Sequence, residues 1–206
     1  ELQREYGVTD IVKLASNENP LGPSPKALAA ARETFAELHR YPDGNGFALR
    51  QALAAHHDVD PLSITLGSGS NDLLEMVARA FLGPGREAVF SKHAFAIYAI
   101  ASQAVGATPV AAPANPREHA QPFGHDLDAM RAAITADTRV VFIANPNNPT
   151  GTWLAAEELE RFFDSVPRDV IIVLDEAYVE YAEAAPGYRE GSAWVARYPN
   201  LVVTRT

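Results

Sequence analysis

From residue 60 onward, short apolar runs alternate with stretches in which apolar residues recur every three or four positions. The runs are SITLG (63–67), EAVFS (87–91), TPVAAP (108–113), RVVFIA (139–144), DVIIVLD (169–175) and NLVVT (200–204). Between them, NDLLEMVARAFLG, AFAIYAIASQAVG, DLDAMRAAI and AAEELERFFDSV carry the helical spacing. Strand and helix in alternation predict an α/β fold with a mainly parallel central sheet flanked by helices, a three-layer α/β/α arrangement. Runs as apolar as VIIVL fit strands buried on both faces.

The first forty residues differ in kind. NENPLGPSP (17–25) is too rich in Asn, Pro and Gly to be a regular element, whereas KALAAARETFAELHR (26–40) reads as a helix. Pro25 suits its first turn and Ser24 its cap. YPDGNG (41–46) is a second turn cluster, and FALRQALAAHH after it reads as a short helix. There is no internal repeat or low-complexity segment.

Composition narrows the function classes. With 206 residues, 47% hydrophobic and 21% charged, the chain can build one sizeable core. A formal net charge of −9 and a pI near 5.1 argue against a nucleic-acid surface. Without cysteine there is neither a disulfide framework nor thiolate chemistry, which fits a cytoplasmic protein. No apolar stretch approaches a membrane span, and ELQREYGVTD lacks the layout of a signal peptide, so no membrane partner is expected. The histidines are too dispersed for a metal site, and the adjacent His56 and His57 would point in different directions on a helix.

In an open parallel sheet, ligands bind outside the carboxyl ends of the strands. After ITL comes GSGSND, a glycine-rich turn feeding a helix whose Leu73, Val77, Ala80 and Phe81 are expected to hold one face. Its free N–H groups suit a phosphate; a plain capped start, with Ser70 or Asn71 as cap, is the alternative. After AVFS comes KHAFAIY, where Phe95 and Tyr98 either stack on a flat ring or belong to the core. After VIIVL comes DEAY: Asp175 is expected to find a positively charged partner or to cap the next turn, with Glu176 facing away and Tyr178 just beyond. Thr204 and Thr206 could add hydroxyls. In VFIANPNNPTGTW, Asn148 is either a turn former or a ligand group at the end of a buried strand. Together these groups fit one molecule, pyridoxal 5'-phosphate: a phosphate at a helix start, a flat ring, a ring nitrogen against Asp175, and a ring oxygen near Asn148 and Tyr178.

KLASNENPLGPSP (13–25), HRYPDGNG (39–46), ITLGSGSND (64–72), FIANPNNPTGTW (142–153), VLDEAYVEY (173–181) and LVVTRT (201–206) resemble the histidinol-phosphate aminotransferase family, fold-type-I enzymes that use pyridoxal phosphate. The resemblance implies an N-terminal arm with part of a small domain in 1–40 and an incomplete cofactor-binding large domain in 41–206. It implies that Ser70, Asn71 and Thr206 hold the phosphate, Phe95 covers the ring, Asn148 and Tyr178 hold the ring oxygen, and Asp175 pairs with the ring nitrogen. Tyr41 would reach the cofactor of a second subunit, so a homodimer is expected, and Asn17 would lie near the substrate. The partners implied are a small amino donor and a phosphorylated keto acceptor. The family's catalytic lysine follows TRT, whereas Lys13, Lys26 and Lys92 match no such motif. The 206 residues alone are therefore expected to be truncated before that lysine and inactive. The other readings are an aromatic amino-acid aminotransferase, a phosphorylated-amino-acid decarboxylase of similar fold, and a non-catalytic fragment that keeps the cofactor cradle.

Overall fold

Five of the apolar runs become strands because each finds a neighbour for its backbone. The structure, a computed structural model, describes residues 2–13 and 16–206; Glu1 and, within KLASNENPLGPSP, Leu14 and Ala15 lie outside the described residues. The strands are β1 (Glu87–Ser91), β2 (Thr108–Ala112), β3 (Thr138–Ala144), β4 (Ile171–Asp175) and β5 (Leu201–Thr204). They form one sheet in the order β2-β1-β3-β4-β5, and every pairing is parallel. The helices are α1 (Leu2–Tyr6), α2 (Pro25–Glu33), α3 (Phe47–His57), α4 (Ser70–Phe81), α5 (Ile97–Ala104), α6 (Leu127–Ala132) and α7 (Ala156–Ser165). Strand β1 has β2 on one side and β3 on the other, so the order of travel reverses there and opens a crevice at the carboxyl ends.

Alternation along β3 explains the three layers. Val141 and Ile143 join Val89, Ile172 and Leu174 in a core closed by Met130 of α6 and by Leu159, Phe162 and Phe163 of α7. Val140, Phe142 and Ala144 face the other way, against Leu74 and Val77 of α4 and Tyr98 of α5. Both faces of the sheet are thus buried, as the run VVFIA requires.

Three local expectations change. SITLG makes no strand: Pro61–Ser63 is a turn of 3-10 helix, and 64–67 pairs with no strand among the described residues. An extended run needs a hydrogen-bonded neighbour to become a strand, and apolar composition alone does not supply one. The helix expected over 26–40 ends at Glu33 and tightens into a 3-10 turn over Thr34–Glu37, although Ser24 caps it by accepting from the Lys26 N–H at 3.3 Å. The buried stripe of α4 is Ser70, Leu74, Val77 and Ala78, whereas Phe81 is 44% exposed. The face is rotated toward the residues spaced four and seven from Ser70.

The chain divides into two compact units, Glu1–Gly46 and Phe47–Thr206. In the first, α2 buries none of its residues and Tyr41 is fully exposed. The second contains the whole sheet. Among the described residues, no helix is long and apolar enough to cross a membrane.

His125 shows what the interior demands. Its ring is buried, Nε2 lies 2.9 Å from the Ala144 carbonyl at the end of β3, and Nδ1 has no partner among the described residues. Burial pushes its pKa down to about 4 from 6.5, so the folded chain holds this ring neutral. The associated stability is complete above pH 6.5 and is lost as pH falls toward 4. A shift of that size corresponds to about 3 kcal/mol. Urea unfolding at pH 7 and pH 4 should show that loss, and His125→Gln should remove most of it; an unchanged pH dependence in the variant would contradict the assignment.

Candidate cofactor site

The carboxyl ends of β3, β4 and β5 are in register, with Ala144 opposite Asp175 and Asp175 opposite Thr204. The Asn145 N–H continues the ladder to the Asp175 carbonyl at 2.9 Å, and the Glu176 N–H to the Thr204 carbonyl at 2.9 Å. Loops leaving three adjacent strands are thereby fixed by backbone hydrogen bonds before any side chain is considered.

Asp175 is 4% exposed and stands at the centre of this edge. Its Oδ2 accepts from the Tyr98 hydroxyl at 2.8 Å, and its Oδ1 accepts from the Thr204 hydroxyl at 3.1 Å and the Ala177 N–H at 3.3 Å. The expected cationic partner is absent among the described residues: Arg205 pairs instead with Glu176 and Glu190. Burial pushes the Asp175 pKa up, and the Tyr98, Thr204 and Ala177 donors pull it back. A buried carboxylate met only by neutral donors is a ready site for a ligand's positive charge.

Of the two places open to Tyr98 from the sequence, ring stacking or the core, the structure gives the core, and its bond to Asp175 is what the sequence did not show. Tyr98 is fully buried and lies parallel to Phe142, with ring centroids 4.8 Å apart and planes 4° from parallel. It therefore cannot stack on a ligand, and it positions Asp175 instead. Burial and the adjacent Asp175 push its phenol pKa well up, so it remains a proton donor. Phe95 is half-buried and meets the Tyr98 ring edge-on at 5.9 Å.

A second cluster forms at the start of α4. Gly69 caps this helix with φ +78, a left-handed conformation that suits glycine. A Cβ there would sit 3.2 Å from Thr206 Oγ1, so glycine also permits the close approach of the chain after β5. Thr206 Oγ1 accepts a long hydrogen bond of 3.4 Å from the Ser70 N–H, and the Asp72 carboxylate accepts from the Ser68 N–H at 3.0 Å. Ser70 and Asn71 supply first-turn N–H groups, which have no intrahelical acceptor. This backbone is suited to an anion. The alternative of a plain capped start, with Ser70 or Asn71 as cap, is not what forms: the capping position belongs to Gly69, without a side-chain cap.

The turn after β3 is held by its other asparagines. Asn145 is buried, accepts the Leu154 N–H at 2.8 Å and donates to the Leu154 carbonyl at 3.2 Å. Asn147 donates to the His93 carbonyl at 2.8 Å and to the Thr150 hydroxyl at 2.7 Å, tying this turn to the loop after β1 across the crevice. The Asn145–Pro146 and Asn148–Pro149 peptides are both cis. Asn148 itself is half-buried, and its side chain makes no hydrogen bond to another described residue. Internal work thus falls to Asn145 and Asn147, and the Asn148 amide is available to a ligand. Tyr178 is half-buried three residues after Asp175, with its ring 6.4 Å from that of Tyr181.

The second unit therefore assembles Ser70 with Thr206, Asp175 with Thr204 and Tyr98, and Phe95 with Tyr98. Asn17, at φ +51, and Tyr41 belong to the first unit. The donor set fits pyridoxal phosphate: an anion site at a helix start, a buried carboxylate lacking a cation, and an unengaged amide.

The sequence profile of the family Aminotransferase class I and II matches residues 9–206. Histidinol-phosphate aminotransferase 2 of Pseudomonas aeruginosa is 60% identical over 208 residues, covering all of this chain and 54% of that protein. Its namesake from Pseudomonas fluorescens is 61% identical with the same coverage. The chain thus spans about half the length of the curated relatives it matches. Among solved structures, the histidinol-phosphate aminotransferase from Sinorhizobium meliloti in complex with pyridoxal-5'-phosphate matches with a TM-score of 0.87 at 29% identity, over 100% of this chain and 54% of that one. With a parallel sheet of matching fold and a profile match from residue 9 to residue 206, the chain belongs to the class I and II aminotransferase family.

Proposed function

We propose that this chain is the cofactor-cradle part of a pyridoxal-phosphate-dependent histidinol-phosphate aminotransferase, exchanging an amino group between glutamate and imidazole acetol phosphate. The observation that carries the chemistry is Asp175, a buried carboxylate at the centre of the site with no cation of its own among the described residues. The substrate assignment rests on the names of the relatives matched over the whole chain.

Each residue then has a task. Asp175 keeps a ring nitrogen protonated, and Tyr98 and Thr204 hold its carboxylate in place. The first-turn N–H groups at Ser70 and Asn71, with the Thr206 hydroxyl, bind the phosphate. Asn148 and Tyr178 donate to the ring oxygen, and Phe95 covers one face of the ring. Bound there, pyridoxal phosphate supplies an electron-withdrawing ring that accepts electron density from the substrate's α-carbon. Lys13, Lys26 and Lys92 are not assigned the amine that moves the proton. The same reading assigns Asn17 to the substrate and Tyr41 to the phosphate of a second subunit's cofactor, in a cytoplasmic homodimer with 1–40 as the N-terminal arm and part of a small domain and 41–206 as an incomplete large domain.

The test is turnover by the purified full-length protein supplied with pyridoxal phosphate. Glutamate and imidazole acetol phosphate should yield 2-oxoglutarate and histidinol phosphate without release of carbon dioxide. Preference for phenylalanine as donor over histidinol phosphate would replace the reading by an aromatic aminotransferase, and release of carbon dioxide by a decarboxylase.

A further inference from the structure

Beyond Thr204 the described chain leaves the sheet, and side chains rather than the strand ladder hold it. Thr204 is the last residue of β5 in the ladder, opposite Asp175, and β5 is an edge strand whose only described partner is β4. Arg205 and Thr206 lie beyond that ladder, yet Thr206 is the residue that meets the start of α4. Successive side chains of an extended chain point to opposite sides. Thr204 turns toward Asp175, Thr206 toward Ser70, and Arg205 between them turns the other way.

Arg205 finds an unusual partner there. Glu176 is 1% exposed, and its Oε2 accepts from Arg205 Nη2 at 3.0 Å. The same nitrogen donates to Glu190 Oε2 at 2.6 Å. Glu176 is itself held rigidly: Oε1 accepts the Gly191 N–H at 2.7 Å. Position 191 has to be glycine for this approach, because a Cβ there would lie 2.7 Å from Val203 Cγ2 and 2.9 Å from Leu174 Cδ2. The Tyr188 hydroxyl lies 2.9 Å from the Asn145 carbonyl and 3.3 Å from Glu176 Oε1, and its one proton is best placed toward Asn145. Burial is the main force raising the Glu176 pKa, and the Arg205 charge opposes it. A carboxylate kept in so costly a place, one residue after Asp175, requires more than solvation from its partner.

We propose that Glu176 and Arg205 are positioning residues for the phosphate end of the cradle, forming a clamp that fixes the chain beyond β5 so that the Thr206 hydroxyl stands at the start of α4. The inference rests on the cofactor reading above and extends it to two residues that touch neither the phosphate nor the ring. Its mechanical content is specific. The clamp acts on the phosphate through Thr206, and it leaves Asp175 to Tyr98, Thr204 and Ala177.

The phosphate therefore gives the discriminating readout. Dissociation constants for pyridoxal phosphate and for pyridoxal, which lacks the phosphate, are measured on the full-length protein by equilibrium fluorescence. Arg205→Met leaves a buried carboxylate unpaired and risks the fold, so the double variant E176Q/R205M is the main probe, since it removes both charges together. It should bind pyridoxal phosphate about tenfold more weakly, the scale of one hydrogen bond to a charged group, with pyridoxal affinity unchanged. Placed in a Thr206→Ala background, it should cause no further loss, as expected of residues acting through one another. Equal weakening of both ligands, no weakening of either, or full additivity with Thr206→Ala would overturn the clamp and leave Glu176 a purely structural group. Wild-type protein that binds no pyridoxal phosphate would overturn the cofactor reading itself. Failure of the clamp alone is distinct, because wild type then binds and the double variant matches it.

Discussion

In the full-length protein, under the function proposed above, replacing Asp175 by Asn is expected to lower transamination turnover about a thousandfold while leaving the cofactor-free protein as stable as wild type, or more so. Removing one partner of a buried ionic pair costs about 3–5 kcal/mol, and about 1.4 kcal/mol is tenfold in rate. The stability half follows from the sign of the pKa shift. Burial raises the Asp175 pKa, so the folded chain prefers the protonated carboxyl; that preference stabilises below the ordinary value of 3.8 and is lost as pH rises through the folded value. Above that value the ionised group, without a cation among the described residues, is a net cost to the empty cradle. Asparagine has the same shape, can still bond to the Tyr98 and Thr204 hydroxyls, and carries no charge. Urea unfolding with and without pyridoxal phosphate should show wild type gaining clearly more than the variant on cofactor addition. A variant that keeps a tenth of the turnover, or gains as much stability from the cofactor, would remove Asp175 from the role given to it.

The same residue shows which features were legible in the chain. A carboxylate at the end of VIIVLD is visible as an anomaly, because five apolar residues before it announce a buried strand. The parallel fold was legible for the same reason, and five of the six apolar runs became strands within two residues of their expected limits. SITLG did not, since its apolar pattern equals that of a strand and only the presence of a neighbour distinguishes the two. The glycine-rich turn before α4 was legible, but the Thr206 hydroxyl that meets it links positions 136 residues apart. Tyr98 bonds across 77 residues and Arg205 across 29, and no local periodicity encodes either contact. Among the asparagines of NPNNPTG, composition could not separate those that hold the turn from the one whose side chain bonds to no other described residue. Geometry separates them: Asn145 and Asn147 spend their amides on the protein, and Asn148 does not.

Phe142→Ala should be the most damaging of the stability variants, at about 3–5 kcal/mol, because it empties a large buried volume that the surrounding sheet cannot close. Phe142 is fully buried in β3, flanked by β1 and β4, and both neighbouring strands are themselves packed on two faces. The exposed Phe35 provides the contrast: at 63% exposure, its replacement by Ala should change stability by no more than about 0.5 kcal/mol. The consequence of Phe142→Ala extends beyond stability. The Phe142 ring forms the surface against which Tyr98 lies parallel, and Tyr98 has to keep that position to give its proton to Asp175. Phe142→Leu retains much of the volume but not the flat surface, so it should cost less in urea unfolding than Phe142→Ala while weakening cofactor binding comparably. Cofactor affinity that instead follows stability across the two variants would show that Tyr98 is held by general packing, with no special part played by the stacked ring.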